Sequence, residues 1–152
     1  MLFRSDAEGL ERAIVKVEGV ISTLGAEALR SQVVFARARV REIRGDWETA
    51  LAEYRRAIEM EPAATGWRRG AARCLRKLGR LDEAVAEIDQ VFLLSPYAPR
   101  TLVELAKIEI ERGSPEVAAT HLERALAVWS AADRGYAPAD EARALLTSLA
   151  AG

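Results

Sequence analysis

Residues 45–62 read GDWETALAEYRRAIEMEP, and their pattern of glycine, small and apolar residues returns twice further along the chain. The second copy is residues 79–96, GRLDEAVAEIDQVFLLSP, and the third is residues 113–130, GSPEVAATHLERALAVWS. The copies begin 34 residues apart, so the chain contains an internal repeat. Each copy opens with a glycine, which suits a turn between two helices. Small residues follow at the places where two helices would cross closely.

The three copies share small and apolar residues at matching positions. These are Ala50, Leu51, Tyr54, Ala57 and Ile58 in the first copy, Ala84, Val85, Ile88, Val91 and Phe92 in the second, and Ala118, Ala119, Leu122, Ala125 and Leu126 in the third. The pattern resembles the tetratricopeptide repeat, a helix-turn-helix module of this length, over residues 31–130. The resemblance implies an all-α fold, a right-handed α-solenoid of such repeats. It implies little about function, because packing residues and not a reactive site define the family.

The first repeat departs from the family pattern in the region before its glycine. Arg37 and Arg41 stand where tetratricopeptide repeats usually have buried apolar or aromatic side chains. The apolar stripe with helical spacing runs instead through Leu29, Val33, Ala36, Val40 and Ile43. We therefore expect the first helix of this repeat to be longer than the others, or rotated.

The chain extends beyond the three repeats at both ends. At the N-terminus, Leu10, Ile14, Val17 and Ile21 have the spacing of a second helix, so the array starts halfway through a repeat. Such an array lacks the helix that would cover one apolar flank, and we expect these four residues to form an uncovered face on a piece of a longer protein. The predicted parts of this single domain, residues 1–152, are a half-repeat helix at 6–24, repeats at 29–62, 63–96 and 97–130, and a capping helix at 138–150.

Composition and single-residue counts argue against an enzyme. The net charge is −1, and no apolar run approaches the roughly 20 residues that cross a bilayer, so a cytoplasmic location is the default expectation. The lone Cys74 is expected to be a buried, inert thiol, and the lone His121 cannot form a paired metal site. Because the glycines are spread at the repeat spacing, they form no phosphate-binding loop. We expect no catalysis, no metal and no cofactor.

The resemblance also indicates which side chains line the groove of the array. In such repeats the groove-facing positions lie 13, 10, 6 and 3 residues before the turn glycine. These positions hold Gln32, Phe35, Arg39 and Glu42 in the first repeat, Gly66, Arg69, Arg73 and Arg76 in the second, and Arg100, Val103, Lys107 and Ile110 in the third. Basic residues dominate this set although the chain is almost neutral, which predicts a positive groove.

A positive groove predicts a protein or peptide partner that carries acidic side chains or a C-terminal carboxylate. Guanidinium groups bind carboxylates through two parallel hydrogen bonds and can hold an extended peptide in register. Phe35, Val103 and Ile110 are expected to add apolar contacts. The carboxylate clamp that some family members use is not matched, because its asparagines are missing. Arginine is also frequent elsewhere in the chain, so solvated arginines without a ligand remain an alternative explanation of the stripe.

Two other functions remain open at this stage. The uncovered face around Leu10, Ile14, Val17 and Ile21 could stack on a second copy of the chain, which would make it a self-assembly scaffold. The chain could instead be a regulatory or sensory portion of a larger bacterial protein, such as a kinase or a transcription regulator. Nucleic-acid binding is disfavoured by the slightly negative net charge and by the few aromatic residues in the groove.

Overall fold

The described part of the chain is entirely helical in secondary structure, apart from turns and short links. The computed structural model describes residues 2–25, 29–130 and 135–151, and of residues 2–6 the backbone alone. It has eight α-helices and no strand within these ranges, which confirms the predicted all-α fold built of helix-turn-helix repeats. The helices are α1 Leu2–Leu24, α2 Arg30–Ile43, α3 Trp47–Met60, α4 Thr65–Lys77, α5 Leu81–Leu94, α6 Pro99–Glu111, α7 Pro115–Val128 and α8 Ala137–Ala151.

The helices divide into two compact units. The N-terminal unit is Met1–Gly79, with α1 to α4, and the C-terminal unit is Arg80–Gly152, with α5 to α8. The first helix, α1, begins earlier than the start predicted at residue 6, and α8 extends one residue beyond each end of the predicted 138–150.

The glycine that opens each copy has a backbone conformation that other residues rarely adopt. Gly45, Gly79 and Gly113 have φ angles of 77°, 73° and 78°, and no other residue type has a positive φ in the described ranges. A β-carbon in this left-handed region costs roughly 1–2 kcal/mol, which explains why glycine recurs here. At the turn between α2 and α3, the next residue, Asp46, caps α3 by accepting a hydrogen bond from the amide of Thr49.

In the N-terminal unit, α1 packs on α2 through the stripe that was predicted to be uncovered. Ile14 and Ile21 are buried in one cluster with Val33 and Val40 of α2, and Leu10 and Val17 are partly buried against it. The prediction of an uncovered face is therefore wrong. The apolar stripe of α2 faces α1 and covers those side chains. Among the described side chains of α1, residues 7–24, the exposed large apolar ones point elsewhere, and they are Val15, Val20 and Leu24.

The unusual arginines of α2 are exposed. Arg37 forms an ion pair with Glu18 of α1, and Nη1 of Arg41 lies 3.9 Å from Oδ2 of Asp46. Helix α2 has 14 residues, compared with 13 in α4 and 13 in α6. It therefore differs from them little in length and mainly in the face that it buries.

Aromatic side chains join α2, α3 and α4. Tyr54 of α3 is fully buried, and the ring of Phe35 lies 6.0 Å from it and 5.8 Å from the ring of Trp67, measured between centroids. Gly70 of α4 faces Tyr54 so closely that a β-carbon built on it would lie 2.4 Å from the tyrosine ring. The Tyr54 ring cannot move aside for such a β-carbon, because it is fully buried and closely packed.

In the C-terminal unit, α8 completes the core that α6 and α7 begin. Ala142 of α8 is buried in one cluster with Leu102, Val103, Ala106, Ala118, Leu122 and Ala125. Leu145, Leu146 and Leu149 pack against the same cluster. Trp129 also packs there, and its ring meets that of Tyr136 edge-on at 5.6 Å, which fastens the start of α8 to the end of α7.

We expect Gly70→Ala to lower the free energy of unfolding by about 1–3 kcal/mol, because the added methyl overpacks the Tyr54 ring. The matched control is Gly19→Ala in α1, where a β-carbon meets no atom within 4 Å. There the higher helix propensity of alanine should raise stability by up to about 1 kcal/mol. Urea unfolding followed by circular dichroism measures both variants, and equal effects would contradict the close contact.

Candidate functional site

A buried carboxylate organises the polar residues of the N-terminal unit. Glu42 of α2 is only 8% exposed, and it accepts hydrogen bonds from side chains on three helices. Both Nε and Nη2 of Arg73 donate to it, the latter at 3.0 Å. Arg39 donates from Nη1 at 2.7 Å and the Tyr54 hydroxyl donates at 2.6 Å. This network ties α2, α3 and α4 together.

The network changes the acidity of two of its members in opposite directions. Burial by itself raises the pKa of Glu42, but the hydrogen bonds and charge of Arg73, with Tyr54 and Arg39, together hold that pKa below its ordinary value of 4.5. Burial is the main cause that raises the pKa of Tyr54, and the negative charge of Glu42 and the hydrogen bond to it raise that pKa further. At neutral pH Glu42 is therefore ionised and Tyr54 keeps its proton.

The predicted groove residues of the N-terminal unit have different environments. Arg39 and Arg73 are engaged by Glu42, and Arg76 is buried, at 7% exposed. Arg76 is therefore a packing residue, which corrects its assignment to an open groove. Phe35 is half-buried against aromatic rings. Gln32 is exposed, and Gly66 and Arg69 are half-buried.

In the C-terminal unit, the four predicted positions all lie on α6. Two of them have polar partners, and the other two pack in or against the core. Arg100 is exposed, and its Nη2 donates to the Tyr136 hydroxyl at 3.2 Å. Lys107 is half-buried, and its Nζ lies 2.6 Å from Oε1 of Glu141, which is 51% exposed. Val103 is 4% exposed within the core cluster, so its assignment to a groove pocket is wrong. Ile110 is partly buried against the same cluster.

Sequence reasoning did not assign Tyr136 or Glu141 to partner binding, although the repeat period contains a signal for Glu141. The positions six residues before the turn glycines are Arg39, Arg73 and Lys107, which are 34 residues apart. One further step of 34 residues from Lys107 reaches Glu141, which is its ion-pair partner. In the sequence, this series of basic residues therefore ends in an acid, which lies on α8.

Other polar residues offer no reactive arrangement in the part of the chain that the structure describes. There, no three or more His, Cys, Asp or Glu side chains are grouped so as to hold a metal ion. Cys74 is buried. The pKa of His121 is lowered, first by burial and then by the charge of Arg124, against the opposing effect of Glu109. Nor does any helix within the described ranges have the length and apolar character needed to cross a membrane.

The family profile described as tetratricopeptide repeat matches residues 43–96. A curated relative, the TPR repeat-containing thioredoxin TTL4 of Arabidopsis thaliana, is 32% identical over 112 residues. That match covers 72% of this chain and 16% of the relative, so the chain spans about a sixth of the relative's length.

Similar solved structures share the fold at low sequence identity. One is the type III secretion chaperone SycD of Yersinia enterocolitica in complex with a peptide of the translocator YopD, with a TM-score of 0.71 and 14% identity over 85% of this chain and 97% of that one. Another is the first TPR of Spaghetti (RPAP3) bound to the HSP90 peptide SRMEEVD, with a TM-score of 0.65 and 15% identity over 80% of this chain and 94% of that one.

We expect Glu42→Gln to lower the free energy of unfolding at pH 7 by about 3 kcal/mol, because a neutral amide leaves the two arginines without their counter-charge. Folding lowers the pKa of Glu42, so its charge stabilises the protein above the ordinary value of 4.5 and that contribution is lost as pH falls through the lowered value. The stabilities of the wild type and the variant should therefore converge in acid.

Denaturant unfolding between pH 7 and pH 3 measures this convergence. The control is Glu18→Gln, which removes a carboxylate from the exposed pair with Arg37 and should cost less than about 1 kcal/mol. A difference between wild type and Glu42→Gln that stays constant over this pH range would contradict the role given to the Glu42 charge.

Proposed function

Since the chain belongs to the tetratricopeptide-repeat family, we propose that it is a protein-interaction module that holds a segment of a partner protein and is not an enzyme. Support comes from the nature of the fold, in which packing residues recur and reactive groups do not. Peptide complexes of two proteins with this fold, SycD and the first TPR of RPAP3, support the same function.

The partner segment is acidic in this proposal. The observation that carries it is the environment of Arg100, which is exposed and whose hydrogen-bond partner in the described structure is the uncharged Tyr136 hydroxyl. A guanidinium without a carboxylate binds an incoming one strongly, through charge-assisted hydrogen bonds. Lys107 lies on the same helix and adds a second cation. The HSP90 peptide bound by the RPAP3 repeat contains two glutamates and an aspartate, which is consistent with this choice.

The N-terminal unit has candidate binding residues of its own, and they are less available to a ligand. Arg39 and Arg73 already share the buried Glu42, so a ligand gains less from them than from Arg100. Gln32, Phe35 and Arg69 complete the residues that we assign to partner binding in the N-terminal unit. Arg76 and Val103 are excluded by their burial.

We expect the double variant Arg100→Gln, Lys107→Gln to weaken binding of a fluorescein-labelled (Asp-Gly-Gly)4 peptide by about tenfold, because both cations that pair with its carboxylates are lost. Fluorescence anisotropy at low ionic strength measures the affinity, which should fall as salt is added. The matched control, Arg112→Gln with Arg124→Gln, removes the same charge from other exposed positions of the C-terminal unit and should change affinity by less than about twofold.

Equal losses in the two double variants would mean that only net charge matters, and would contradict a defined site. Binding of the wild type to a (Lys-Gly-Gly)4 peptide as tight as to the acidic one would contradict the acidic partner.

A further inference from the structure

The cap helix places a carboxylate on the basic surface that we assign to partner binding. Glu141 of α8 lies at the next step of the repeat period after Lys107, and it binds the ammonium group at 2.6 Å. Its side chain is half exposed, whereas Glu42, which engages Arg73 in the N-terminal unit, is buried. An exposed ion pair exchanges with solvent and ligands at little cost, whereas a buried one does not. Glu141 is therefore a displaceable partner for Lys107.

The spacing of the two cations on α6 determines which peptide segments could bind both of them. Arg100 and Lys107 are seven residues apart, which is two helical turns or about 10 Å along α6. A peptide in the polyproline II conformation has three residues per turn and advances about 3.1 Å per residue, so acidic side chains three positions apart lie on one face at about 9 Å. A segment of the form acid-x-x-acid can therefore reach both cations at once.

Building on the proposed function, we propose that Glu141 occupies the place of a partner's second carboxylate on Lys107, so that the cap masks one of the two cations that an acid-x-x-acid segment could bind. A single carboxylate that displaces Glu141 only exchanges one exposed ion pair for another. Because Glu141 is on the same chain, its effective concentration at Lys107 is on the order of millimolar or higher, which a weak ligand cannot match.

The balance is different at Arg100. The group that Arg100 gives up is the uncharged hydroxyl of Tyr136, at 3.2 Å, so a charge pair formed there is a net gain. A ligand with two acids thus gains at Arg100 and only exchanges at Lys107. The cap thereby removes most of the benefit that a second carboxylate would bring.

The test compares the wild type with Glu141→Gln on two labelled peptides, Gly-Asp-Gly-Gly-Glu-Gly and its single-acid form Gly-Asp-Gly-Gly-Gln-Gly, both with blocked ends. We expect the wild type to bind the two peptides with affinities that differ by no more than about twofold, because Glu141 competes for Lys107. Glu141→Gln should prefer the two-acid peptide by about tenfold, because Lys107 is then available to the second carboxylate. Circular dichroism confirms that both proteins are equally helical.

The matched control is Glu123→Gln, which removes a carboxylate from the exposed face of α7. An equal gain in preference for the two-acid peptide in this control would overturn the inference, because the effect would then come from net charge. An unchanged preference in Glu141→Gln would also overturn it. In both cases the proposed function survives if binding still depends on Arg100 and Lys107, whereas binding that is insensitive to those two residues would overturn the function itself.

Discussion

The repeats depend on a left-handed backbone turn between helices, which glycine supplies at low cost. Gly45, Gly79 and Gly113 share this conformation, and their equal spacing means that every structural position recurs after 34 residues. Within each compact unit, the small residues that follow the turn allow close helix crossings, and Ala50, Ala84 and Ala118 are fully buried. Most features of the fold, from its core to its charged columns, follow from this single period.

Within each compact unit, charged side chains of different helices meet, as Arg73 meets Glu42 and Lys107 meets Glu141, so charge on these helices has two competing uses. It can join the helices or it can meet a ligand. In the N-terminal unit the first use dominates, because the buried Glu42 accepts hydrogen bonds from Arg73 and Tyr54, and removing one member would leave uncompensated charge. In the C-terminal unit Lys107 and Glu141 also join helices, but exposure keeps their pairing reversible. Burial thus separates a structural network from a surface suited to recognition.

The sequence was sufficient for the fold class because periodicity and glycine placement report directly on backbone geometry. It was insufficient to predict which side chains are exposed. Arg76 and Val103 occupy columns that face the groove in this family, yet both are buried, since burial depends on what neighbouring helices bring against them. The stripe around Ile14 was predicted to be uncovered because a half repeat lacks its own first helix. The apolar stripe of α2, in the atypical first repeat, covers it instead. Glu141 was within reach of sequence reasoning, since it continues the column of Lys107, but the cap was not treated as a further first helix.

The most direct test of a defined acidic-segment site is a nuclear magnetic resonance titration of the isotope-labelled chain with the two-acid peptide Gly-Asp-Gly-Gly-Glu-Gly. The account predicts saturable shifts of the backbone amides around Arg100 and Lys107 on α6, together with those of Tyr136 and Glu141, as the ion pair to the cap is replaced. Shifts that concentrate on the outer face of α1 or on α7, or small shifts spread over all exposed basic residues, would contradict it.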